Sequence, residues 1–325
     1  MAWIRKIDGR QTALFIAVSV FLVFSLSTGD LFLSQGNIEN VARQISLDAP
    51  IVFGETIVLI AGGIDISVGS NMAMASALAI GLQPYGALAA TLAALVFGMA
   101  VGAVNGLLVT KGKIVPFVAT LGAMSLVRGI LLTYTRQQPI PGQIEAFTWV
   151  GGGNIGLVPV PIVITLILAL VLTIFLARTR AGRNLYAVGG NKEAAYLSGI
   201  SVERSVFLAF VISGTLSALS GVLLASRLNS ATVQVGADTP LLAISAALIG
   251  SASLLGGRGT VLGALLGVLA LGMLTNGMDL LGVHTYFQIA VRAAILIAVV
   301  ALDSLARNLA SRRVAAMTGT GLSSA

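Results

Sequence analysis

The sequence has 325 residues, of which 57 % are hydrophobic and 10 % charged, against roughly 25 % charged in a soluble domain; a large soluble domain is excluded and a chain with many membrane spans is indicated. The net charge of +7 is spread over short loops between apolar runs, which fits the positive-inside bias and argues against a nucleic-acid partner. With no cysteine and one histidine, His284, there is no disulfide framework, no thiolate chemistry and no His-based metal centre.

Arg5, Lys6 and Arg10 precede the first apolar run. No small-residue cleavage site with a soluble mature domain follows, so that run reads as a retained span rather than a signal peptide. A span needs about 20 mostly apolar residues. On that rule about ten are predicted, at 12–29, 40–61, 66–82, 86–109, 115–135, 159–178, 205–225, 239–256, 260–278 and 285–303. With ten spans, Lys111, Lys113, Arg178, Arg180, Arg183, Lys192, Arg204, Arg258, Arg307, Arg312 and Arg313 fall on the side of the N-terminal basic residues, and that side is the cytoplasm. The fold expected is therefore an all-α integral membrane protein with both termini cytoplasmic. It forms a single polytopic membrane domain over 1–325, with an N-terminal segment 1–11, a cytoplasmic loop 179–204 and a tail 304–325.

Between the apolar runs 51–61 and 72–82 lies Gly62-Gly63-Ile64-Asp65-Ile66-Ser67-Val68-Gly69-Ser70. Each Gly costs about 1 kcal/mol against Ala in a helix interior, and an acid at the bilayer centre costs at least ~2.5 kcal/mol. A broken helix is expected here, lining a protein interior or a wet mouth; the alternative is a surface loop with Asp65 capping the next helix. A faint repeat pairs 59–66 with 247–254, each followed by a Gly-rich helix ending in Asn-Gly, at Asn105-Gly106 and Asn276-Gly277. Chance likeness between Gly-rich segments competes with that reading. The sets Gly98/Gly102/Gly106, Gly214/Ser217/Gly221 and Gly263/Gly267 put small residues on single helix faces, as close helix packing requires.

The segment 178–204 is the longest basic stretch. After Gly189-Gly190-Asn191, Lys192–Leu197 are good helix formers, and Gly199 is a normal helix end. Such a short helix is either a docking element or an interfacial loop whose arginines meet anionic lipid.

Glu193-Ala194-Ala195-x3-Gly199 resembles the Glu-Ala-Ala loop of ATP-binding-cassette (ABC) importer permeases. The ribose/xylose/arabinose-type sugar permeases are the branch most similar in the surrounding residues. Matching marks are Gly62–Ser70, Pro116–Gly122 with Arg128-Gly129, Thr179-x2-Gly182-Arg183, Ala187–Asn191 with Ala194, Ala195 and Ser198–Ile200, Gly256-Gly257-x-Gly259-Thr260-x2-Gly263, Asn276-Gly277 and Ala298-Val299-x3-Asp303. They run over about 54–303 in the family's order. The chain departs from the pattern at Leu242–Ala247, where the family has an acid, and at Gly250-Ser251-Ala252-Ser253, where it has Gly-Gly-Thr-Ser.

The resemblance implies an importer permease of the bacterial inner membrane, not itself an enzyme. It binds no cofactor, and ATP and Mg sit on a partner ATPase; the sequence has no Gly-x4-Gly-Lys-Ser/Thr phosphate loop. Implied partners are the ATPase, a periplasmic sugar-binding protein and a second permease copy, identical or paralogous. Arg180, Gly182, Arg183, Gly190, Asn191, Glu193, Ala194, Ala195 and Gly199 would form the coupling helix and its surroundings, and Asp65, Ser67, Asn105, Arg128, Asn276 and Gln288 are the pathway candidates. Asn105 and Asn276 also suit plain helix ends, and Arg128 and Arg292 suit snorkelling or a backbone carbonyl. Two other classes compete. One is an ion-coupled sugar carrier using Asp65. The other is a membrane enzyme on lipid-linked sugars, which lacks the convergent acids, bases or nucleophiles it needs.

Overall fold

The computed structural model describes residues 9–301. Arg5, Lys6, Asp303 and the tail with Arg307, Arg312 and Arg313 lie outside the described residues.

The described residues are mostly helical. Helix α1 (Gly9–Ser27) leads through the single turn α2 (Asp30–Leu33) into α3 (Gln35–Ile60). After an irregular stretch come α4 (Val68–Gly81), α5 (Ala87–Thr110), α6 (Pro116–Thr135) and the short α7 (Thr148–Gly152). Next are α8 (Val160–Arg178), α9 (Arg180–Gly190), α10 (Lys192–Leu197), α11 (Val202–Leu228), α12 (Thr239–Ile249), α13 (Val261–Leu280) and α14 (Thr285–Ala301). The strands are two-residue antiparallel pairs, β1 (Ile140–Pro141) with β4 (Ser230–Ala231) and β2 (Asn154–Ile155) with β3 (Val158–Pro159).

Five helices, α5, α6, α8, α11 and α13, are each long and apolar enough to cross a membrane. α11 lies at the centre, packed on α3, α4 and α5, while α13 packs on α1, α3 and α12. The apolar windows of α11 and α13 are 67 % buried, but those of α5 and α6 are 22 % and that of α8 28 % buried. The latter three turn most of their apolar surface outward, as lipid-facing helices do. α5 and α11 approach closely because Gly98, Gly102 and Gly106 face Gly214, Phe210 and Phe207; a Cβ on Gly102 would overlap the Phe210 carbonyl. The small-residue spacing in the sequence is thus a helix seam.

α3 contains Pro50, which cannot donate to Ser46 O. The freed Ser46 carbonyl accepts from Thr165 Oγ1 of α8 at 2.9 Å, and the next amide, Ile51 N, donates to Ser220 Oγ of α11 at 3.2 Å. Neighbouring hydroxyls so repair the helix, the usual remedy where water is excluded.

The connections sort into two ends. One gathers Lys111, Lys113, Arg178, Arg180, Arg183, Lys192 and Arg204, with Lys113 bridged to Glu203 at 2.9 Å. The other holds the 136–159 segment, pinned by the buried Gln83, whose Oε1 accepts from Gln143 N at 2.6 Å and Ile144 N at 3.0 Å.

Candidate functional site

Between α3 and α4 the chain leaves helical geometry from Ala61 to Ser67. α3 ends in a Schellman turn: Gly62 sits at φ +78°, Gly62 N donates to Leu59 O and Gly63 N to Val58 O, both at 2.9 Å. Asp65 follows, 1 % exposed and so enclosed by protein. Its carboxylate collects three bonds, from Ser67 N at 3.0 Å, Ser67 Oγ at 2.6 Å and Ser213 Oγ of α11 at 3.0 Å. Ser67 Oγ in turn accepts from Asn105 Nδ2 of α5 at 2.8 Å, and Asp65 N donates to Glu55 Oε1 of α3 at 3.3 Å. Thr120 Oγ1 of α6 reaches Ile64 O at 3.3 Å. Four helices, α3, α5, α6 and α11, and the segment between α3 and α4 therefore share one buried polar knot. Neither acid has an ion-pair partner among the described residues, and Glu55 Oε2 and Asn105 Oδ1 make no hydrogen bond.

A second irregular segment, 229–238, meets this break. A Cβ on Gly69 would overlap the Gly236 carbonyl, and Arg128 Nη1 holds Val235 O at 3.1 Å. α12 starts beside this contact and ends in a second Schellman turn, with Ser251 at φ +83°, Ser251 N bonded to Leu248 O at 3.1 Å and Ala252 N to Ala247 O at 2.9 Å. The turns match at Leu59-Ile60 with Leu248-Ile249, so the structural equivalence runs one residue off the sequence pairing of 59–66 with 247–254. The segment after the second turn reaches the first: Gly257 N donates to Ile60 O at 2.9 Å.

α9 rests on that crossing. Gly189 has no room for a Cβ because the Ile60 carbonyl occupies the space, and Tyr186 Oη donates to Gly259 O at 2.9 Å. Helix formers do not announce α9, whose Gly182, Gly189 and Gly190 argue against a helix. Its Thr179 cap, with Oγ1 accepting from Gly182 N at 3.0 Å, and its buried Leu185 and Val188 outweigh them. The Thr179-x2-Gly182 cap followed by Leu185-x2-Val188 is the signal that finds it.

α10 covers Lys192–Leu197. Asn191 Oδ1 caps it through Ala194 N at 2.9 Å, Glu193 sits in its first turn, and Gly199 at φ +77° closes it with Ile200 N bonded to Ala195 O at 3.0 Å. Ala195 is buried against the bundle, whereas Glu193 and Ala194 are exposed and Tyr196 and Leu197 are 72 % and 78 % exposed. Arg180 and Arg183 are exposed on α9, with Arg183 Nη1 on Arg178 O at 3.1 Å; nothing lies within 4 Å of a Cβ on Gly190.

Of the pathway candidates, Asp65, Ser67 and Asn105 come together, and Arg128 touches the adjoining segment. Asn276 and Gln288 do not join them. Asn276 forms a reciprocal amide pair with Asn37, at 2.8 and 3.0 Å, and Gln288 Nε2 ties Asp279 Oδ1 at 2.7 Å and Val283 O at 2.9 Å. Glu55 is the residue that sequence reasoning missed, although an acid inside an apolar run is a functional candidate by default.

The chain matches the family model described as branched-chain amino acid transport system / permease component over residues 37–300. It is 41 % identical to the ribose import permease of Bacillus subtilis over 299 residues, 91 % of this chain and 92 % of that one. The ribose import permease of Escherichia coli K12 is 37 % identical over 310 residues, 93 % and 95 % of the two chains. The D-allose transport system permease of the same organism is 36 % identical over 296 residues, 90 % of each chain. No solved structure matches. These relatives are permease components, not ion-coupled carriers, and the chain belongs to the ABC importer permease family that includes the ribose and allose permeases.

Proposed function

We propose that this chain imports a monosaccharide or related polyol across a bacterial inner membrane. ATP is hydrolysed by a separate subunit seated on α10, and substrate is delivered by a periplasmic binding protein. In this reading ten helices cross the bilayer, α1, α3, α4, α5, α6, α8, α11, α12, α13 and α14, with the basic end and both termini cytoplasmic. α3 counts despite its Glu39, Arg43, Asp48 and Glu55, because its second half is buried in protein. A second copy, identical or paralogous, completes the pathway, and no cofactor is held by the chain itself.

The observation that carries the proposal is the mechanical continuity at the basic end. α10 projects Glu193, Tyr196 and Leu197 outward, and α9 joins it directly. α9 in turn abuts the ends of both broken segments through Gly189 and Tyr186. An exposed Tyr-Leu pair on a short capped helix is a partner-binding feature. A push on α10 reaches Ile60 and Gly257 through backbone contacts with no flexible side chain between them, and so acts on the Asp65 knot and on the Gly69–Gly236 contact. These two places are where access to the pathway would switch.

The test is co-purification of tagged protein from gently solubilised membranes. Wild type should retain a Walker-type ATPase, and Glu193→Lys and Gly199→Asp should lose it while inserting normally. Retention by both variants would place the ATPase elsewhere.

A further inference from the structure

At the basic end, α9, the turn after α10 and the first turns of α11 surround an open cavity of about 470 Å³. Arg180, Arg183 and Arg204 all line it, and no carboxylate does. None of the three has an ion pair among the described residues, and the nearby acid, Glu203, is taken by Lys113 at 2.9 Å. Three uncompensated guanidiniums around one space suit an anion with several acceptor oxygens, and phosphate matches the guanidinium fork.

The apolar part of the lining says which phosphate. Ile200 and Leu208 also line the cavity. Leu208 lies six residues into α11 from Val202, about 9 Å along the axis. The headgroup layer on each side of a bilayer is only about 5–8 Å deep. A cavity bounded by charges at one level and by Leu208 below it follows the profile of an amphiphile at the membrane surface. Ile200 and Leu208 give a wall that acyl carbons would cover and a free anion would not, and no residue of α10 lines the cavity.

We propose that this cavity binds an anionic phospholipid, its phosphate held by Arg180, Arg183 and Arg204 and its first acyl carbons against Ile200 and Leu208. The site adjoins the α10 face assigned to the ATPase and includes Arg180, Arg183 and Gly199 of the coupling surroundings, so that lipid is wedged between α9 and α11 beside the docking helix.

Native mass spectrometry of the delipidated full-length permease, titrated with phosphatidylglycerol or phosphatidylcholine, tests this without any partner present. Wild type should retain phosphatidylglycerol at least about tenfold better than phosphatidylcholine, a preference of ~1.4 kcal/mol. Arg180→Gln with Arg204→Gln should remove that preference, and Lys111→Gln with Arg258→Gln, an equal charge loss at the same end, should keep it. Arg180→Lys with Arg204→Lys, which preserves charge and guards against misfolding, should retain part of it. Equal retention by the Arg180→Gln, Arg204→Gln variant overturns the proposal. Displacement of the lipid by millimolar inorganic phosphate also overturns it, because the site then takes a soluble anion. A chain that binds lipid yet recruits no ATPase leaves this inference standing and removes only the coupling proposal.

Discussion

Asp65 accepts three hydrogen bonds in a space closed to water. Truncating it to Ala leaves the Ser67 and Ser213 hydroxyls without their acceptor, and each buried orphan costs about 1–3 kcal/mol. Asp65→Ala is therefore expected to lower resistance to detergent unfolding by a few kcal/mol, and Asp65→Asn, which keeps one acceptor oxygen, by less. Unfolding titrations in mixed micelles followed by circular dichroism measure both. Equal losses would mean that charge matters here rather than hydrogen bonding. The importance of Asp65 was legible because a lone acid among glycines conflicts with a lipid-facing helix. Its partners were not. Glu55 and Ser213 lie 10 and 148 residues away in sequence, and their contact depends on how α3 and α11 cross.

The repaired kink in α3 and the seating of α9 are properties of helices. Thr165→Val removes the bond to Ser46 O and should cost about 0.6 kcal/mol, the average for an interhelical hydrogen bond in a membrane. In a Pro50→Ala background the backbone amide restored at that position can satisfy Ser46 O itself, so the same Thr165→Val change should cost nearly nothing. A double-mutant cycle reads this coupling directly, and additive effects would contradict the repair. At the other junction, Gly189→Ala places a Cβ on the Ile60 carbonyl and must lift α9 away. The variant should insert and bind its ATPase but hydrolyse ATP without transport, measured as the ratio of uptake to phosphate release. α10 was readable from its helix formers and the closing Gly199. α9 was not, because three glycines mask a helix that capping and two buried side chains hold. The two Schellman turns were half visible, since Gly62 announces a left-handed position while Ser251 at φ +83° does not.

For the molecule as a whole, the positions of the apolar runs were legible, because about 20 residues of low polarity leave few alternatives to a span. α4 and α12 have 14 and 11 residues, so in the ten-span reading each crosses together with the irregular segment before it, 61–67 and 229–238. Their place beside Gly69 and Gly236 comes from tertiary contacts that no local pattern carries. The chain has no cysteine, so single cysteines report topology without background. A cysteine at Ser198 should react with an impermeant maleimide only from the cytoplasm, and one at Gly156 only from outside; the reverse pattern would invert the orientation.

The decisive measurement is uptake by proteoliposomes containing the permease, its ATPase and its binding protein, with labelled ribose and allose as first substrates. Accumulation should require internal ATP and the binding protein, and should vanish with Glu193→Lys even when ion gradients are imposed. Uptake by the permease alone, driven by a proton or sodium gradient and abolished by Asp65→Asn, would contradict ATP-coupled import through α10.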